Sequence, residues 1–163
     1  MVSALGLDLG AKRIGVAGCD RTGLIATGLT TISRTRFESI VRPLSELVRS
    51  RSVEVLVVGL PYTLDGQVGR QAKKIQKLAR RLSVALELPV EFVDERLTSF
   101  DAEQRLLAEG RSPSRHKALI DRKAAAIILQ QWLDDRQSLA FPAASSPATE
   151  AHLTYSTTPN KLI

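Results

Sequence analysis

Hydrophobic and polar positions alternate along this chain with two periods, the two-residue period of strands and the longer period of helices. Ala4 to Leu9 is apolar except for Asp8, and a second apolar run, Ile14 to Cys19, follows after Gly10-Ala11-Lys12-Arg13. Together they read as antiparallel strands with a tight connection. Asp20-Arg21-Thr22-Gly23 has the composition of a hairpin turn and leads into a third strand, Leu24 to Ile32. Ile40, Val41, Leu44, Leu47 and Val48 then recur at helical spacing, and Pro43 among them implies a helix start near Val41 or a kink. Val53 to Leu60, rich in valine and closed by Pro61, reads as a central parallel strand buried on both faces.

Gln67 to Leu86 is the clearest helix, with Val68, Ala72, Ile75, Ala79 and Leu82 forming one apolar stripe. Pro89 to Val93 gives a fifth strand, followed by Asp94-Glu95-Arg96. Thr98 or Ser99 can cap a helix through Ala102, Leu106 and Leu107 that stops at Gly110. A basic loop, Arg111 to Lys117, precedes a last helix from Ala118 to Asp135. Beyond Arg136 the chain turns to Ser, Thr, Ala and Pro with scattered apolar residues, the composition of a disordered tail. The organisation is therefore one domain, 1–136, and a tail, 137–163. Two strand–helix–strand units imply right-handed crossovers and a parallel portion. The fold class is α/β, a mixed sheet with helices on both sides.

Composition narrows the function classes. The 163 residues suffice for one domain with a sizeable core. The formal net charge of +6 makes an anionic partner plausible without identifying one. A single cysteine, Cys19, excludes an intramolecular disulfide and suits a reducing compartment. With two histidines and no Cys/His cluster, a structural zinc site is not expected. The first apolar run is too short for a signal peptide and carries Asp8, and no apolar stretch reaches membrane-spanning length.

Three acidic positions carry the candidate chemistry. Asp8 interrupts a strand that otherwise reads as buried, and a buried carboxylate costs several kcal/mol, as an order of magnitude, unless compensated. A metal ion is one compensator, with Gly6 and Gly10 leaving room for a ligand; backbone amides in a turn are another. Glu95 directly follows the fifth strand. Asp121 opens the last helix on the stripe continued by Ala125, Ile128 and Trp132, the face expected to meet the sheet. A simpler role for Asp121 is pairing with the helix dipole. For three acids that a parallel sheet can bring together, a metal site is the better reading. Magnesium, or manganese, takes hard oxygen ligands, and two such ions can activate a water and stabilise the leaving oxygen of a phosphodiester. No nucleophilic side chain is then needed, and no Cys–His or Ser–His–Asp arrangement is offered.

Four motifs in order carry a resemblance. They are Leu7-Asp8-Leu9-Gly10-Ala11-Lys12-Arg13-Ile14-Gly15-Val16-Ala17, then Val58-Gly59-Leu60-Pro61 with Asp65-Gly66. Val93-Asp94-Glu95-Arg96-Leu97-Thr98 follows, and last Asp121 with Ala124-Ala125 and Ile128-Leu129-Gln130. Over Ala4 to Leu133 the chain resembles the YqgF/RuvX family of Holliday junction resolvases, also described as ribosomal RNA precursor nucleases. The resemblance implies an RNase H-like fold, a five-stranded mixed sheet of order 3-2-1-4-5 with helices on both faces. It implies metal-dependent phosphodiester cleavage with Asp8, Glu95 and Asp121 as the acidic triad. It further implies a cytoplasmic protein acting on the 5′ end of the small-subunit (16S) ribosomal RNA precursor, with structured DNA the alternative substrate. No fourth carboxylate is marked, since strand alternation turns either Asp94 or Glu95 away from the site.

Lys12, Arg13, Arg96, Arg115 and Lys117 are the first candidates for phosphate contacts. Arg70, Lys73, Lys74, Lys77, Arg80 and Arg81 form either a solvated helix face or a second phosphate track, with Lys73, Lys74 and Lys77 at its centre. With seven aromatic residues, recognition should lean on phosphate and shape rather than stacking. Like charges on that helix favour a monomer. Two rivals remain: an ATP-handling protein with Asp8-Leu9-Gly10 as a phosphate turn, and a non-catalytic nucleic-acid-binding module.

Overall fold

A computed structural model of the chain describes residues 1–95, 110 and 117–140. Five strands are present: β1 (Ala4–Leu9), β2 (Arg13–Cys19), β3 (Ala26–Ser33), β4 (Val55–Leu60) and β5 (Val90–Asp94). Helix α1 (Phe37–Arg51) joins β3 to β4, α2 (Arg70–Leu86) joins β4 to β5, and α3 (Lys117–Ala140) follows β5. The sheet order is β3-β2-β1-β4-β5, as expected. β1, β2 and β3 pair antiparallel, whereas β4 lies parallel to both β1 and β5.

Alternation along the strands splits the core into two layers. Leu5, Leu7 and Leu9 of β1, with Leu56, Val58 and Leu60 of β4, pack against Ile40 and Leu44 of α1 and Ala72, Ile75, Ala79 and Leu82 of α2. The other face carries Ala4, Ala17, Val55, Val57 and Val93, which pack against Ala125, Ile128, Leu129, Trp132 and Leu133 of α3. All six residues of β4 are buried, the mark of a central strand covered on both faces. Strand alternation also assigns the face of each candidate acid: Asp8 shares the α3 side with Ala4, and Glu95 shares it with Val93, leaving Asp94 toward the α2 side.

Several boundaries differ from the expected ones for local reasons. α1 begins at Phe37 and runs through Pro43, so the proline neither starts nor ends it. α2 begins at Arg70 rather than Gln67. Thr63 closes a turn on Gln67, its Oγ1 accepting from the Gln67 N–H at 3.1 Å and its own N–H donating to the Gln67 carbonyl at 2.9 Å. Gly66 takes φ +82 within that turn. Val68 therefore falls outside the buried stripe and stays exposed, while Leu78 joins the stripe instead. α3 continues past Asp135 to Ala140, so residues 137–140, expected in the tail, are helical. The helix expected through Ala102 to Leu107 and the tail beyond Ala140 lie outside the described residues. Among the described residues no helix is long and apolar enough to cross a membrane.

Candidate active site

Asp8 sits near the carboxyl end of β1, and what flanks it across the sheet decides the site. Its partner on β2 is Gly15. On the other side the parallel register pairs Leu7 with Val58, so the next position along β4, Gly59, lies beside Asp8. Both neighbours of the carboxylate thus lack side chains. The space over Gly15 is taken by the backbone of Asp121, whose carbonyl a Cβ on Gly15 would strike. The space over Gly59 is taken by the Glu95 carboxylate, on whose Oε2 a Cβ would fall, and by Ile128, whose Cδ1 would be 2.5 Å from it. One glycine admits Asp121 and the other Glu95 into the slot that Asp8 occupies.

The supporting contacts explain why the slot holds its shape. Gly6, two residues before Asp8, lets α3 approach: a Cβ there would meet Leu129 Cβ at 2.7 Å and the Ala125 carbonyl at 2.8 Å. The room expected at Gly6 for a ligand is therefore filled by the helix. At Gly10 it is filled by the hairpin itself, the Arg13 carbonyl standing 2.6 Å from where a Cβ would be. The Glu95 N–H donates to the Leu60 carbonyl at 3.2 Å, tying the residue to the end of β4. Asp121 is the fifth residue of α3, one turn in, where a helix dipole no longer offers much. Its carboxylate oxygen Oδ2 instead accepts a hydrogen bond from Arg13 Nε at 2.7 Å.

Electrostatics report the crowding. Burial, with the Asp121 charge added, raises the Asp8 carboxyl to about 6. Burial raises Glu95 to about 7, helped by the charges of Asp8 and then Asp94. Asp8 and Glu95 each feel the charge of another acid, so a cation in the slot would relieve a real penalty. As placed, no three His, Cys, Asp or Glu side chains among the described residues are close enough to hold an ion. An all-carboxylate set of hard oxygen donors nevertheless fits magnesium or manganese in kind, and an entering ion would have to draw the acids inward.

The basic candidates divide. Lys12 is exposed beside the β1–β2 connection, and Lys117 opens α3 one turn before Asp121. Arg13 points into the site. Lys73, Lys74 and Lys77 are exposed on α2, across the sheet from the carboxylates. Arg96 and Arg115 lie outside the described residues. The residues that sequence reasoning undervalued are Gly15 and Gly59. Their signal was glycine inside a strand, which marks a bulge or a close backbone approach.

Comparison with known proteins now bears on this geometry. The family model described as RuvX, Holliday junction resolvase, matches residues 2–135. The chain belongs to the RuvX family. It is 66% identical over 139 residues to a protein of Trichormus variabilis, covering 85% of this chain and 92% of the relative. A Thermosynechococcus vestitus protein is 61% identical over 140 residues, with coverage of 86% and 93%. Both relatives carry the name "Putative pre-16S rRNA nuclease". RuvX proteins are nucleases under either description, and so is this chain. Among solved structures the fold is similar to Thermus thermophilus RuvC in complex with a Holliday junction substrate. That match has a TM-score of 0.52 at 14% identity, over 84% of this chain and 96% of that one. It is also similar to the fowlpox virus Holliday junction resolvase, with a TM-score of 0.52 at 14% identity, over 83% and 99%. At such identity these structures speak to the fold, which is of the RNase H type.

Proposed function

We propose that the protein is a metal-dependent endonuclease that cuts the small-subunit ribosomal RNA precursor near its 5′ end, with Asp8, Glu95 and Asp121 as its acidic triad. The observation that carries the reading is the slot around Asp8, where Gly15 seats the Asp121 backbone, Gly59 seats the Glu95 carboxylate, and Asp8 is coupled by charge to both acids. Asp8, Glu95 and Asp121 would hold divalent cations, magnesium or manganese and two in number. When bound, such ions lower the pKa of a coordinated water and stabilise the departing oxygen of a phosphodiester. The protein's own part is to fix the acids. β1 presents Asp8, the β5 end presents Glu95, and the seat of α3 on Gly6 and Gly15 presents Asp121. Ile128 lies beside Glu95 over Gly59 and gives that side of the slot an apolar surface.

Lys12 and Lys117, beside the slot, hold substrate phosphates, and Arg96 and Arg115 are assigned the same role from sequence. Lys73, Lys74 and Lys77 hold a more distant stretch of backbone, because α2 covers the opposite face. Such contacts select shape and charge rather than sequence. The RNA substrate is supported by the names of relatives at 61–66% identity over most of both chains. A four-way DNA junction is the second reading, favoured by the family description. Cytoplasmic location and a monomeric state accompany the RNA reading, since one cut requires one active site.

The test is cleavage of end-labelled RNA spanning the precursor's 5′ end, with magnesium and with EDTA, beside a synthetic four-way junction. Sedimentation of the free protein accompanies it. Magnesium-dependent cutting of the RNA by a monomer is expected. Symmetric paired nicking of the junction by a stable dimer overturns the RNA assignment.

A further inference from the structure

Arg13 stands at the start of β2, where the sequence offers it as a phosphate contact. Its side chain also makes a contact within the protein. Nε donates to Asp121 Oδ2 at 2.7 Å, an ion pair that joins β2 to α3. Strand alternation explains the direction, because Arg13 shares the α3-facing side of β2 with Gly15 and Ala17. Gly15, two residues on, lets the Asp121 backbone settle against the strand within reach of that guanidinium. The pair is not sealed: the Arg13 side chain is 33% exposed and that of Asp121 20%. A positive charge of this kind, at the mouth of a slot with three carboxylates, is placed where a metal ion would otherwise be the nearest cation.

We propose that Arg13 is a positioning residue, an internal counter-ion that holds one oxygen of Asp121 until a divalent cation competes for that carboxylate. The inference rests on the triad reading given above. It predicts that removing the arginine moves two quantities in opposite directions. Without metal the acids lose their counter-ion, and the protein is less stable. With metal the ion enters a more negative slot, free of a competitor, and binds more tightly. An arginine that only touched substrate would change neither quantity, and one that only locked the fold would lower stability equally with and without metal.

The experiment uses the full chain, wild type beside Arg13→Gln, Arg13→Lys and Asp121→Asn. Free Mn2+ is followed by electron paramagnetic resonance during titration, and melting is recorded in EDTA and in saturating Mn2+. For Arg13→Gln the Mn2+ dissociation constant should fall roughly threefold to fivefold, the scale of a partly exposed ion pair. The melting deficit seen in EDTA should shrink in Mn2+. Arg13→Lys should lie nearer wild type, since the ammonium keeps the charge but loses the planar fork. Unchanged or weaker Mn2+ binding by Arg13→Gln, or equal melting deficits in both conditions, overturns the counter-ion role while leaving the triad standing. Wild type that binds no Mn2+, or Asp121→Asn that binds it as well as wild type, overturns the triad reading and this inference with it.

Discussion

Replacing Gly15 with alanine is the most informative single perturbation, because two effects of opposite sign meet there. Within a strand, glycine costs conformational entropy, so alanine should gain about 0.5–1 kcal/mol if space allowed. Space does not allow it: the new Cβ would strike the carbonyl of Asp121, which is backbone and cannot rotate away. α3 would have to withdraw from β2, carrying Asp121 and loosening the contact of Leu129 with Gly6. Overpacking of this kind costs about 1–3 kcal/mol, which outweighs the entropic gain. For a domain of this size a net loss of about 1–2 kcal/mol lowers the melting temperature by roughly 3–8 °C. The effect on catalysis should be larger in proportion, since displacing a catalytic group by about 1 Å can cost on the order of 100-fold. Gly18→Ala is the matched control on the same strand. A Cβ there meets only the ends of flexible side chains, Leu29 Cδ1 at 2.8 Å and Arg51 Nη1 at 2.9 Å. Thermal melts and the RNA cleavage assay should show Gly15→Ala impaired in both and Gly18→Ala near wild type. A Gly15→Ala protein that melts and cleaves like wild type would refute the claim that this glycine seats Asp121.

The metal-free protein should lose stability as pH rises from about 4 through 7. Asp8 is raised to about 6 and Glu95 to about 7, so the folded state binds more protons than the unfolded chain across that window. Melting in EDTA at pH 5 and pH 7.5 checks the sign, and a higher melting temperature at pH 7.5 contradicts it. Asp8→Asn, Glu95→Gln and Asp121→Asn should each abolish cleavage with the fold intact, and the first two should flatten the pH dependence of melting in EDTA. Full activity in any one variant removes that residue from the triad. Replacing Lys73, Lys74 and Lys77 with alanine should make RNA affinity less salt-dependent, by a slope change of about 2–3 if each neutralises a phosphate. Mn2+ binding in that triple variant should be unchanged, as α2 lies across the sheet from the acids.

Much of this architecture was legible because its strands and helices have distinct periods. The valine run of β4, the hairpins and the α2 stripe all have local causes, and the sheet order follows the family resemblance. Local chemistry also explains where boundaries moved. Gln67 looked helical by spacing, but the Thr63 hydroxyl takes its N–H first. The site was legible as residue types and not as an arrangement. Asp8 stood out as a charge in an apolar strand, yet its surroundings depend on Gly15 and Gly59, whose contribution is the absence of a side chain. Arg13 reads as one more cation in a basic motif. Only the pairing across 108 positions, to Asp121, brings its guanidinium into the site.

Diffraction from crystals soaked in Mn2+, with the anomalous signal used to place the ion, tests the central claim most directly. The account predicts a peak in the slot between Asp8, Glu95 and Asp121, with carboxylate oxygens of all three drawn to within about 2.0–2.6 Å, the range for hard cations. The Arg13 contact to Asp121 should be lengthened or broken in the same crystal. A strong manganese peak elsewhere on the protein, with the three acids unliganded and Arg13 still on Asp121, would contradict it.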